Sequence, residues 1–209
     1  SLNNVGVAWL TAALYEMSHG LDARASLQRS AAASRKAVEI SPNAPYPLMN
    51  LALPLVYLGL IDGSEGGDDF PALDEAEGLL KKAIAIHPKL SLARFNMADL
   101  CVNRAALKLD LGIPVTDFAD AESALYDALA LDPTNALGQS MAIRLHATQA
   151  RAFLARGQDP APAVAKASEA YEALRKISPD YPAAPLLMAY AALWGAAYGD
   201  RPLETVARV

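Results

Sequence analysis

The sequence predicts an all-α protein made of stacked helix pairs, and three observations carry that reading. Pro42, Pro88, Pro133 and Pro179 stand at spacings of 46, 45 and 46 residues, a fixed period of the size that marks a stacked helical repeat. The chain aligned on these prolines gives matching columns. Ile40, Ile86, Leu131 and Ile177 stand two residues before, and Ala37, Ala83, Ala128 and Leu174 five before. Ser34, Leu80, Leu125 and Tyr171 stand eight before, Ser30, Ala76, Ala121 and Ala167 twelve before, and Leu27, Leu73, Phe118 and Val164 fifteen before. Steps of three and four trace one stripe along an α-helix, which a single repeat cannot bury alone. The third observation is a recurrent loop signature, Gly20-x-Asp22, Gly66-x-Asp68 and Gly157-x-Asp159.

Each repeat is expected to be helix, loop, helix. The first helices are predicted near Asn3–His19, Pro45–Leu60, Ser91–Asp110, Ala136–Arg156 and Pro182–Tyr198, and the second near Ala23–Ile40, Ala72–Ile86, Thr116–Leu131 and Ala161–Ile177. The loop glycine supplies the left-handed residue that ends a first helix. The aspartate after it can cap the free N–H groups of the second. The third repeat departs from the signature with Leu111-Gly112-Ile113-Pro114. The second departs further: Pro54 should kink its first helix or end it early, and an acidic, glycine-rich loop is expected over Asp62–Asp69. No stretch is biased enough to be a linker. One domain over 1–209 is therefore expected, in units of roughly 1–43, 44–89, 90–135, 136–180 and a truncated 181–209.

Composition narrows the function. Hydrophobic residues make up 53% of the 209, enough for a packed core, which excludes wholesale disorder. A net charge of −5 argues against nucleic acid as the main partner. The lone Cys101 excludes an intramolecular disulfide and a cysteine zinc cluster, and suits a reducing, cytoplasmic compartment. The opening Ser-Leu-Asn-Asn does not read as a signal peptide, and both ends are expected to be cuts in a longer protein, with Leu203–Val209 resembling the opening of a tenth helix. Ala44–Ile61 and Tyr181–Tyr198 are long enough to span a bilayer, but both are interrupted by prolines in the same repeat slot. Internal solenoid helices, not membrane spans, are expected there.

The tails Ala37-Val38-Glu39-Ile40-Ser41-Pro42-Asn43, Ala83-Ile84-Ala85-Ile86-His87-Pro88 and Ala128-Leu129-Ala130-Leu131-Asp132-Pro133 resemble the end of a tetratricopeptide repeat. Asn3-Asn4-Val5-Gly6, Met49-Asn50-Leu51-Ala52 and Phe95-Asn96-Met97-Ala98 resemble its asparagine-leucine-glycine opening. The resemblance covers almost the whole chain and implies a right-handed superhelical solenoid. The period exceeds the usual 34 of that family and also suits HEAT repeats, but the small-residue columns and tail prolines fit the tetratricopeptide pattern better. The long period and the Gly-x-Asp loop are similar to arrays that follow the kinase domain of bacterial serine/threonine kinases. No kinase motif is present in this chain.

The resemblance further implies a non-catalytic module that binds a protein or peptide along a concave face lined by first helices. In such repeats the slot asparagine can hold a peptide backbone, and Asn4, Asn50 and Asn96 occupy that slot. An amide offers both a donor and an acceptor, which suits a backbone of any sequence. Helical steps of three, four and seven place Val7 and Thr11 beside Asn4, Tyr46, Leu53 and Tyr57 beside Asn50, and Leu92, Asp99 and Asn103 beside Asn96. In the fourth repeat the slot is Met141, flanked by Arg144 and Thr148. These faces lack the lysine and arginine set with which some relatives grip a terminal carboxylate.

The remaining chemistry is sparse. His19, His87 and His146 fall in different repeat slots, so no metal site follows, and surface or capping roles are expected. No phosphate loop, zinc-protease or serine-hydrolase motif appears, and no cofactor is implied. The pairs Asp74/Glu77 and Glu169/Glu172 read as solvated, and Cys101 as core. Two other functions stay open: a structural module whose stacking or self-association is the whole function, and a small-molecule binder. The uncharged Tyr181–Tyr198 segment is apolar on every side, which predicts a homodimer through the C-terminal end.

Overall fold

The computed structural model describes residues 1–66 and 70–199. Among them the chain is all-α, with nine helices and no strand: α1 (Leu2–Ser18), α2 (Arg24–Ile40), α3 (Pro45–Ser64), α4 (Pro71–Ile86), α5 (Ser91–Asp110), α6 (Ala119–Leu131), α7 (Ala136–Ala155), α8 (Ala161–Ile177) and α9 (Ala184–Gly199). Asp68, Asp69 and the expected helix at Leu203–Val209 lie outside the described residues.

The repeat is visible as local geometry. The four prolines each follow the first residue of the same turn. The N–H of Ala44, Leu90, Asn135 and Tyr181 donates to the carbonyl of Ser41, His87, Asp132 and Ser178 at 3.1, 3.0, 3.3 and 3.1 Å. Proline's fixed φ suits the second position of such a turn, and its missing N–H costs nothing there. The loops inside the repeats also agree. Gly20, Gly112 and Gly157 have φ of 68°, 71° and 68°. The next residue, Leu21, Ile113 or Gln158, donates back to the carbonyl of Glu16, Lys108 or Phe153 at 2.8 Å each. This paired closure satisfies carbonyls that a helix end leaves open. The aspartate then caps the second helix: Asp22 accepts from the Arg24 N–H at 2.9 Å and Asp159 from that of Ala161 at 2.9 Å. The third repeat keeps this geometry despite its divergent sequence. Gly112 takes the left-handed position and Asp117 the cap, accepting from Ala119 N–H at 2.8 Å.

The chain divides into two compact units, Ser1–Leu107 and Lys108–Val209, with the division inside α5. In the first, α1 packs on α2, α2 on α3 and α3 on α4, and α1 also meets α3. In the second, α6 packs on α7, α7 on α8 and α8 on α9, and α7 also meets α9. Most of the predicted stripe is core, while Phe118, Val164 and Tyr171 are half-buried. Leu27, Leu73, Ala76, Ala83, Leu125, Ala128, Ala167 and Leu174 are buried, together with Ser30 and Ser34. Small residues let helices approach closely: a Cβ on Gly6 of α1 would stand 3.3 Å from the carbonyl of the column residue Ser30, and one on Gly59 of α3 would stand 2.8 Å from Cγ of Leu73.

Three expectations are corrected here. The column two residues before each proline is not core: Ile40, Ile86 and Leu131 are exposed, because each is the last residue of its helix, where the chain turns away. The early-end alternative at Pro54 is overturned, since α3 runs through Pro54 to Ser64 rather than stopping near Leu60. Pro54 and its neighbours Leu51, Ala52, Leu55 and Val56 are all buried, so packing holds a helix that has lost one backbone hydrogen bond. Asp74 and Glu77 are not merely solvated; they clamp Arg104 of α5, at 2.9 Å from Asp74 and 2.6 Å from Glu77.

Candidate recognition face

In the first unit, α1, α3 and α5 carry the slot asparagines. Proline at the first turn of α3 follows an extended Ala44 and starts the helix that presents Tyr46 and Asn50. Asn4 is exposed, and Asn50 and Asn96 are half-buried. The amide of Asn50 donates to the side-chain carbonyl of Asn3 at 2.9 Å. Helix α1 therefore meets this amide through Asn3, one position before the slot residue. That bond uses one N–H of Asn50 and leaves its second N–H and its carbonyl oxygen. Tyr46 is 55% exposed and Leu92 42%.

Other predicted members are engaged locally. The Thr11 hydroxyl donates to the carbonyl of Val7 at 3.0 Å within α1. Tyr57 packs, with Leu53, against the cluster of Leu10, Ala13, Ala23 and Leu27, so much of its ring serves the core. Asn103 donates to Asp99 one turn away on α5 at 3.1 Å. Arg144 belongs to the second unit, where it is half-buried. Its neighbours there, Met141 and Thr148, are buried, and Thr148 donates to the carbonyl of Arg144 at 2.9 Å. The fourth slot thus faces packing.

The second unit holds a polar network that sequence reasoning missed. His146, expected at the surface, is 1% exposed. Tyr126 lies 2.7 Å from its Nε2, and Oε1 of Gln149 lies 2.7 Å from its Nδ1. Gln149 in turn donates to Glu122 at 2.8 Å. The proton positions follow in order. A carboxylate only accepts, so the Gln149 amide nitrogen faces Glu122 and its oxygen faces His146. Nδ1 therefore carries the proton, Nε2 accepts, and the Tyr126 hydroxyl donates. Burial holds the His146 imidazole below its ordinary range and pushes the Tyr126 phenol up, the latter helped by Glu122 and Glu169. Two sequence signals were available: the i,i+3 pair His146/Gln149 in an alanine-rich helix, and the i,i+4 pair Glu122/Tyr126 on the helix before it.

His19, by contrast, sits exposed at the end of α1 with its ring 4.1 Å from that of Tyr15. Among the described residues no group of three or more His, Cys, Asp or Glu side chains could hold a metal ion. One described helix, α3, is long and apolar enough to cross a membrane, and half of its most apolar window is buried within the protein. No family model matches the chain, and no curated protein matches it.

Proposed function

We propose that the chain is a non-catalytic recognition module of tetratricopeptide type. In this reading it is a right-handed superhelical solenoid, serving as the partner-binding or regulatory part of a larger bacterial signalling protein. The observation that carries the reading is the amide series of the first helices. Asn4 is exposed, Asn50 keeps hydrogen-bonding capacity beyond Asn3, and Asn96 is half-buried. Exposed Tyr46 and Leu92 supply apolar contact beside them. Amides that can both donate and accept suit an extended backbone, and an aromatic ring adds area at small entropic cost. The repeated turns and loop closures support the repeat-family part of the reading.

Selection of a random peptide library on the full chain tests this. Enriched peptides should bind the wild-type chain and lose about 1–3 kcal/mol on Asn50→Ala or Asn96→Ala, the cost of stranding a buried polar group. Peptides whose affinity is indifferent to all three asparagines would overturn it.

A second reading, self-association, is favoured by α9, where Leu186 is 74% exposed and Leu193 57%. Apolar residues of this size on an outer face commonly find a partner surface.

A further inference from the structure

At the starts of α6 and α8 the second unit holds a cleft of about 320 Å³, at the small end of the range for ligand sites. Its walls divide by chemistry. Phe118, Phe153 and Ala163 are apolar, while Glu122, Gln149 and Lys166 bring polar groups to the same space. We propose that this cleft is a binding site for a basic side chain, the guanidinium of an arginine carried by a partner peptide. It is separate from the amide-bearing face of the first unit and stands without it.

The carboxylate of Glu122 is the anchor. It is held from behind by the Gln149 amide, and Gln149 is itself held by buried His146. Three polar groups in a row, two of them buried, fix one carboxylate at the wall of the cleft. A network of that kind costs stability unless every member is satisfied, and here it orients a group that reaches solvent. The bond from Gln149 goes to Oε1, and the Lys166 ammonium approaches the same oxygen only to 3.9 Å. Oε2 is left to accept from elsewhere. Lys166 is a loose partner with a 55% exposed side chain, easily displaced by a better donor.

Charge selects the ligand class. Asp117 is already engaged in capping the Ala119 N–H, so the acceptor offered to the cleft is Oε2 of Glu122, which suits a cation that brings N–H donors. The flanking rings choose among cations. A planar guanidinium can address a carboxylate and lie against an aromatic face at once, which an ammonium does less well. Phe153 holds the chain's own Arg156 guanidinium 5.2 Å from its ring centre, and Phe118 brings a second ring to the lining of the cleft. The apolar wall then covers the alkyl stem.

The experiment is an NMR titration of the full chain with N-acetyl-arginine methylamide. Saturable shifts are expected at the Gln149 side-chain amide and at the backbone amides of Phe153 and Ala163. N-acetyl-glutamate methylamide should leave them unmoved, and the lysine analogue should bind several-fold more weakly. Glu122→Gln retains an oxygen that accepts from Gln149 but removes the charge, and should weaken arginine binding about tenfold or more. Lys166→Ala removes the competitor and should tighten it. Absence of saturable shifts, equal affinity for the glutamate or lysine analogue, or an unchanged affinity in Glu122→Gln would overturn the assignment. Should Glu122→Gln lose its native spectrum, Lys166→Ala decides instead: tighter binding supports the site, and unchanged or weaker binding overturns it.

Discussion

Two of the most consequential side chains in the second unit, His146 and Gln149, are polar residues buried where alanine or leucine would pack more simply. His146 is neutral because burial disfavours its charged form, and the Nδ1–H to Gln149 fixes its tautomer. The folded protein therefore binds fewer protons at this ring than the unfolded chain, whose histidine titrates at about 6.5. Stability from the neutral ring is fully present above that pH and falls as pH drops toward the lowered folded value. Urea midpoints measured between pH 7.5 and 5.5 should fall with acid, and His146→Gln should flatten that slope; an equal slope in both proteins would show that other groups dominate. A second residue-scale prediction concerns Gly59. An added methyl would meet Leu73, which is fully buried, at 2.8–2.9 Å. Gly59→Ala should cost about 1–3 kcal/mol by overpacking, against a helix-propensity gain of at most ~1 kcal/mol. A chemical denaturation curve shifted to lower urea checks it.

Helices here are ended and restarted by the same short devices in successive repeats, and those devices were legible in the chain. Gly20 and Gly157 and their aspartates were read directly, because the loop needs one residue with positive φ and one acceptor for a free N–H. Asp117 was not, because three extra residues separate it from Gly112 and break the spacing while leaving the geometry intact. Gly157→Ala should destabilise the protein by about 1–2 kcal/mol, the cost of a left-handed β-carbon, and Gly157→Asn by less. Thermal unfolding of the pair against wild type measures the difference, and equal melting temperatures would mean that the loop relaxes out of the left-handed region. The candidate face was partly legible at this scale. Helical spacing located Asn50 and Tyr46 on α3, but it could not tell that Asn3 rather than Asn4 meets Asn50, or that Tyr57 turns to the core.

At the scale of the whole molecule, the two compact units are each built from successive helix pairs, and each carries one candidate site. The exposed leucines of α9 bear on assembly. Tyr190 and Trp194 pack edge to face at 5.5 Å, and Arg151 covers the Trp194 ring at 5.7 Å, whereas Leu186 and Leu193 have large exposed areas. In light scattering across concentration the chain should show a mass that rises toward a dimer. Leu186→Glu with Leu193→Glu should abolish that rise without altering helical content. A strictly constant monomer mass in the wild-type chain would remove the self-association reading and leave peptide recognition untouched.

The sequence by itself determined the all-α class, the repeat period, the helix end before each proline and most of the core stripe. All of these follow from spacing along one chain and from the φ angles that proline and glycine permit. Only the tertiary structure decided which residues of that pattern are buried and what the polar ones touch. Ile40 falls in register with the core columns yet is 73% exposed, and His146 reads as a helix-surface residue yet is almost wholly buried. The reason is geometric. Periodicity reports which face of a helix a residue lies on, while burial depends on which neighbouring helix covers that face and how far along it the cover extends. A hydrogen bond such as Asn50 to Asn3 or Tyr126 to His146 joins residues 47 and 20 positions apart, and it exists only once two helices have packed.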